Sequence, residues 1–228
     1  MNRRLDAETA LRREVIETAL QMARLGINQG TSGNVSARWR DGLLITPSGV
    51  PYSELRAEDI VWLPLDVSDD SPIFQTCRPS SEWRFHRDIL RSRSDANAVV
   101  HTHSNAATAL AIHGRDIPAH HYMVAAAGGN SIRCAPYATF GSQALSDHAI
   151  AALKDRTACL LAHHGVIALG PDLHRALWLA NEVEVMAHQY LLACQLGTPP
   201  VLSDAAMSEV LEKFKGYGVR HARDTDID

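Results

Sequence analysis

Two apolar runs in this chain each end in a pair of histidines, and that pattern limits both the fold and its chemistry. Ala98-Val99-Val100 leads into His101-Thr102-His103, and the run from Ala158 to Ala162 leads into His163-His164-Gly165. Runs this short and apolar read as buried strands. Residues i and i+2 of a strand point to the same face, so His101 and His103 aim both rings at one point. One histidine of the second pair can add a third nitrogen, and the carboxylate of Glu82 lies nineteen residues before the first pair. Three imidazoles leave a coordination position open, which separates catalytic zinc from closed structural zinc.

Twelve histidines in 228 residues produce some pairs by accident. A single one is more often a satisfied polar residue than a ligand. The second strand-end pair is what turns the reading toward a metal. Other metal patterns fit worse: there is no His-Glu-x-x-His helix, and Cys77, Cys134, Cys159 and Cys194 are too far apart for a zinc finger. No Asp-His pair follows His103 closely, as a binuclear hydrolase would use. The pattern points to one ion.

A net charge of -4 and a pI near 6.3 argue against a nucleic-acid partner. The N-terminus is polar and no segment approaches the apolar length of a membrane span, so no membrane partner is expected. Four cysteines without framework spacing fit the reduced thiols of a cytoplasmic protein. With no linker or internal repeat in view, a single domain over residues 1–228 is expected.

Asp6 can cap a first helix in which Leu11, Val15, Ile16, Leu20 and Ala23 recur at helical spacing, with Gly26 ending it. Val35 to Trp39 and Leu43 to Thr46 flank Arg40-Asp41-Gly42 as a hairpin. Ile60 to Leu65 is a strand, and Asp66 to Pro79 a loop. Ser80-Ser81-Glu82 opens a helix to about Ser92, with serine as its cap. After the His101/His103 strand come a helix at Ala106–Ile112, a strand near Ile132–Tyr137, a helix at Ser142–Lys154 and the His163/His164 strand. A long helix at Leu173–Leu196 is apolar on most sides, and a last helix from Ser203-Asp204 carries Phe214. Hairpins and helical connections both occur. The fold class expected is therefore α/β of the α+β type: three layers, with a mixed, mainly antiparallel central sheet covered by helices on both sides.

Three segments can cradle an anion: Gly30-Thr31-Ser32-Gly33-Asn34, Thr46-Pro47-Ser48-Gly49, and Pro79-Ser80-Ser81 at a helix start. Glycine lets the backbone approach a ligand, small hydroxyls add hydrogen bonds, and a helix N-terminus attracts negative charge. Each alone is weak, since ordinary turns and caps use the same residues. Glu82 strengthens the third, because a phosphate held at Ser80-Ser81 places the rest of its molecule beside a carboxylate. A Lewis-acid metal and a neighbouring carboxylate base together can make a carbanion next to a carbonyl. The reaction class is aldol cleavage and condensation, or a related isomerisation.

These residues sit within a longer pattern. The stretches from Leu25 through Ser36, Ile45 to Gly49, Pro79 to His86, Asp95 to His103, Tyr122 through Phe140 and His163-His164-Gly165 resemble the class II aldolase/adducin family. Ala176-Leu177-Trp178, Glu182 to Val185 and Glu212-Lys213-Phe214 extend the resemblance over nearly the whole chain. It implies a zinc enzyme, with one Zn2+ per subunit, that cleaves L-fuculose 1-phosphate to dihydroxyacetone phosphate and L-lactaldehyde. The implied metal ligands are His101, His103 and His164, with Glu82 both the catalytic base and a ligand of the resting ion. Gly33, Asn34, Ser48, Gly49, Ser80 and Ser81 match a phosphate site. Tyr122 matches a tyrosine that acts on the aldehyde oxygen from a neighbouring subunit of a homotetramer. Phe140, Phe214 and Tyr217 match an aldehyde pocket, the last two on a mobile C-terminal segment from about residue 203. Thr102, Ser104, Arg133 and the tail from Arg220 to Asp228 depart from the pattern.

Within the same chemistry the alternatives are another phospho-sugar aldolase, a pentulose-phosphate 4-epimerase and a 3-oxo acid phosphate decarboxylase. A non-catalytic scaffold like adducin would need neither the histidines nor Glu82.

Overall fold

The computed structural model describes residues 2–66 and 77–215. Helix α1 (Asn2–Arg24) buries Val15, Ala19 and Met22, which recur at helical spacing. It begins before Asp6, and the chain turns away at Gly26, whose φ of 71° is left-handed. Strands β1 (Asn34–Trp39) and β2 (Gly42–Ile45) form the expected hairpin, followed by β3 (Val61–Pro64). Helix α2 (Trp83–Ser92), β4 (Ala98–Thr102) and α3 (Asn105–Ile112) come next. The two-residue strands β5 (Ile117–Pro118) and β6 (Ser131–Ile132) pair with each other, and β7 (Cys134–Ala135) joins the main sheet. The remaining elements are α4 (Gln143–Ala152), β8 (Ala158–Leu161), β9 (Gly165–Gly170), α5 (Leu173–Gln195) and α6 (Asp204–Phe214).

The main sheet runs β3-β2-β1-β4-β9-β8-β7, antiparallel throughout except for the parallel β7–β8 pair. Strand alternation gives it two apolar faces. Val35, Ala37, Leu44, Val100, Val166 and Ala168 meet the side covered by α1, α3 and α5. Leu43, Ile45, Val99, Ile167 and Leu169 meet the side covered by α2 and α4. The sheet is thus buried on both sides in a three-layer arrangement, as expected from its sequence.

Three local expectations are corrected. Neither serine caps α2: the N-cap is Glu82 itself, and the Ser80 hydroxyl accepts the Glu82 backbone N–H at 3.2 Å. His163 and His164 do not extend a strand but form the turn between β8 and β9, with His163 at φ 56°. The strand expected through Tyr137 stops at Ala135, since Pro136 has no N–H for a ladder. Most of the expected Asp66–Pro79 loop falls outside the described residues.

Helices α2 and α4 are joined by the buried carboxylate of Asp88. It accepts from Ser146 Oγ at 2.8 Å, Gln143 Nε2 at 2.9 Å and Arg87 Nε at 3.1 Å. Burial pushes this carboxyl up, but the donors from Gln143, Ser146 and Arg87 outweigh it and hold it below its ordinary value. Asp88→Ala would strand the buried Arg87 guanidinium, so it should destabilise the protein by about 3–5 kcal/mol in urea unfolding at neutral pH. A depressed folded-state pKa stabilises fully above the ordinary carboxylate pKa of about 4 and is lost as pH falls through it. The difference between wild type and Asp88→Ala should therefore shrink in acid, and a pH-independent difference would rule out this role.

Candidate active site

The site forms where the α2 side of the sheet turns polar. On β1, Val35 and Ala37 face the α1 side, so Asn34 and Ser36 face α2. The β1–β4 register sets Asn34 opposite His101. Above them, Glu82 at the start of α2 and His86 one turn later look down from the same helix face. Glu82 is 4% exposed, His86 and His101 fully buried.

His103 lies just past the end of β4, where its backbone N–H donates to Asn28 Oδ1 at 3.3 Å. His164 arrives from the β8–β9 turn, which is anchored by the His163 N–H to the Ala111 carbonyl at 3.1 Å. Gly165 is required here: a Cβ would collide with the Thr102 carbonyl oxygen and lie 3.0 Å from the His103 ring. Glu82, His101, His103 and His164 thereby bring one ligand atom each to within 4.8 Å of one another.

The ring roles follow from hydrogen bonds. His101 Nδ1 donates to the Val166 carbonyl at 2.8 Å, which leaves Nε2 as a bare lone pair. That atom faces His103 Nε2 at 2.9 Å and Glu82 Oε2 at 3.1 Å, while Glu82 Oε1 faces His164 Nε2 at 3.1 Å. Burial raises the Glu82 carboxyl, but the facing His101 and His164 outweigh it and hold it well below its ordinary value, so it is ionised. Burial, reinforced by His101 and His164, lowers His103 to about 3, which keeps its ring neutral as a ligand must be. A buried carboxylate against converging imidazole lone pairs needs a cation at its centre. The donor set therefore fits a metal ion.

The cluster lies in a cleft of about 440 Å³. All six residues of the expected phosphate site line it: Gly33, Asn34, Ser48, Gly49, Ser80 and Ser81. Two of their three loops are stitched together by a bridge between Pro47 and Pro79, with the Ser80 N–H donating to the Thr46 carbonyl at 3.0 Å. Gly33 has no room for a side chain, since a Cβ would lie 2.6 Å from both Asn28 Oδ1 and the His101 carbonyl oxygen. Phe140 also lines the cleft.

Other expected residues lie elsewhere. Tyr122 is 51% exposed at the start of a 3-10 turn, outside its own chain's cleft. Phe214 packs on α6 against the core of the α1 side, and Tyr217 and the tail from Arg220 to Asp228 lie outside the described residues. The start of the C-terminal segment docks by a Leu202 N–H to the Ala119 carbonyl at 2.8 Å and by buried Met207. Arg133 donates to the Ala152 and Lys154 carbonyls and does not line the cleft.

Sequence reasoning missed Asn28, Ser36, His86 and Tyr137, and it weighed His163 only as a possible ligand. Two of these were signalled: Ser36 shares a strand face with Asn34, and His86 shares a helix face with Glu82. Tyr137 and His163, in edge contact at a ring-centroid distance of 5.9 Å, form part of the cleft wall, and Tyr137 carried no pattern.

The family model described as the Class II Aldolase and Adducin N-terminal domain matches residues 13–191. The L-fuculose phosphate aldolase of Escherichia coli (strain K12) is 56% identical over 211 residues, spanning 92% of this chain and 96% of that one. The 5-methylthioribulose-1-phosphate/5-deoxyribulose-1-phosphate aldolase of Rhodospirillum rubrum is 54% identical, spanning 92% and 93%. A solved L-fuculose 1-phosphate aldolase superposes with a TM-score of 0.86 at 36% identity, over 90% of this chain and 96% of that one. The chain belongs to the class II aldolase and adducin family. It is an enzyme of the aldolase branch, a lyase.

Metal capture should be measurable without turnover. A divalent transition ion at about 100 times its Kd should raise the melting temperature of chelator-stripped protein by about 5–10 °C. His164→Ala should abolish most of that rise, and an equal rise in the variant would place the ion elsewhere.

Proposed function

We propose that this enzyme reversibly cleaves L-fuculose 1-phosphate to dihydroxyacetone phosphate and L-lactaldehyde, with one zinc ion per subunit, as a cytoplasmic homotetramer. The observation that carries the reading is the convergence of His101, His103, His164 and Glu82 on one point of a cleft walled by small-residue loops. The name of the relative at 56% identity supports the choice of substrate. Among the described residues no helix is long and apolar enough to cross a membrane.

Three imidazoles and a carboxylate suit zinc, which when bound would supply a Lewis acid for the substrate carbonyl. The chain's own residues do the rest. Gly33, Asn34, Ser48, Gly49, Ser80 and Ser81 hold the phosphate through backbone and hydroxyl groups. Glu82 moves the proton on the carbon next to the ketone: it removes it from dihydroxyacetone phosphate in condensation and returns it in cleavage. Tyr122 of the partner subunit moves the proton at the aldehyde oxygen. Its exposure away from its own cleft supports a role across an interface. Phe140, which lines the cleft, borders the aldehyde.

A second reading is favoured by the Rhodospirillum rubrum relative, whose identity is nearly as high. Cleavage of 5-deoxyribulose 1-phosphate breaks the same bond and releases the same dihydroxyacetone phosphate, so only the aldehyde differs. Comparing kcat/KM for the two ketose phosphates decides between them. A higher value for L-fuculose 1-phosphate supports the first reading, and no release of dihydroxyacetone phosphate from either overturns both.

Two variants test the roles. Glu82→Gln should lower the rate by about 10²–10⁴, the range of a positioned acid–base group. Near-normal proton exchange on dihydroxyacetone phosphate in that variant would place the base elsewhere. Tyr122→Phe should lose cleavage yet keep exchange, and mixing it with Glu82→Gln should restore part of the activity in hybrid oligomers. If subunits exchange and no activity returns, the shared site is wrong.

A further inference from the structure

Behind Glu82 lies a hydrogen-bonded row that the roles above do not use. Asn34 Nδ2 donates to Glu82 Oε2 at 3.0 Å. Asn34 Oδ1 meets His86 Nε2, and His86 Nδ1 meets Ser36 Oγ at 2.7 Å. Asn34 is 4% exposed, and Ser36 and His86 are fully buried, so water does not compete.

The direction of every bond in the row is fixed from the Glu82 end. An ionised carboxylate only accepts, so the amide must present its NH₂ to Glu82 and its oxygen to His86. An amide oxygen also only accepts, so His86 must carry its hydrogen on Nε2. A neutral ring with Nε2–H has a bare Nδ1, and the Ser36 hydroxyl must donate to it. The Ser36 hydroxyl, which can turn to donate, satisfies that bare Nδ1, and the Nε2–H of the anchored ring stops the Asn34 amide from turning over. A reversed amide would aim its oxygen at the carboxylate and repel it.

We propose that His86, anchored by Ser36 with its Nε2–H on the Asn34 oxygen, is a positioning residue that locks the Asn34 amide and, through it, the Glu82 carboxylate. Glu82 Oε1 has no comparable donor and is the oxygen left to move a proton. The proposal rests on Glu82 being the base, and its test separates the two.

Ring-nitrogen NMR of ¹⁵N-histidine protein should show His86 neutral at pH 7 with the hydrogen on Nε2, and Ser36→Ala, which frees the ring from its anchor, should slow proton exchange on dihydroxyacetone phosphate. His86→Leu should lower kcat for proton exchange on dihydroxyacetone phosphate by about 10–100-fold, the usual cost of losing an outer hydrogen bond, with KM changed far less. His86→Gln keeps an N–H close to the Nε2 position and should recover most of that loss. An Nδ1–H tautomer in the wild type overturns the proposal, as does exchange by His86→Leu at the wild-type rate. If His86→Leu does not fold, the tautomer and the Ser36→Ala rate decide alone. If the wild type itself exchanges no proton, the function proposed above fails, and the tautomer still decides the orientation.

Discussion

A carboxylate taken out of water must find compensating positive charge or hydrogen-bond donors, and Glu82 sets that demand at the centre of this fold. It sits at the N-cap of α2, where the helix dipole favours an anion, and is faced by His101 and His164. Meeting the demand needs the end of β4, the β8–β9 turn and the start of β1 in one place. The β1–β4–β9 order of the sheet supplies that meeting point. Buried charge is expensive for stability alone, and its concentration beside neutral imidazoles marks a functional site rather than a structural one.

Much of this was legible in the chain. Strand alternation at Val35–Ala37 and Val99–Val100, with helices whose apolar spacing is clear, gives a mainly antiparallel sheet between helical layers. The His101/His103 pair was legible because two-residue spacing has a fixed geometric meaning in a strand. The second pair was read less well. His163 and His164 follow an apolar strand and look like its continuation, but Gly165 opens a new strand after a left-handed residue, and a turn that tight leaves little composition signal. The cap of α2 was misassigned for a related reason: two serines beside a glutamate suit a conventional cap, and only the packing shows the glutamate in that position. Tyr137 stayed invisible because a single residue at a cleft wall obeys no period.

The relatives differ in the sugar phosphate that their names specify. Two proteins named for different sugar phosphates are each more than half identical to this chain. Both names specify a phosphorylated sugar, and the loops around Gly33, Ser48 and Ser80 are built from backbone and small hydroxyls that recognise an anion of any origin. On the function proposed above, discrimination would fall to the rest of the cleft lining, where Tyr137 and Phe140 are 61% and 65% exposed. Large aromatic faces contact hydrophobic substituents over wide areas and tolerate modest changes in size, so such a wall grades its substrates rather than excluding all but one.

The spacing of the four converging residues has a consequence for biosynthesis. Glu82 and the first two histidines leave the ribosome early, but His164 follows sixty-one residues after His103. It cannot join the first two before β9 has paired with β4. Throughout that interval the growing polypeptide offers only an incomplete, weakly attractive set of ligands. Ion loading is thereby deferred until nearly three quarters of the chain exists, and a product cut short upstream of the β8–β9 turn has no complete centre with which to withdraw metal from the cell's supply.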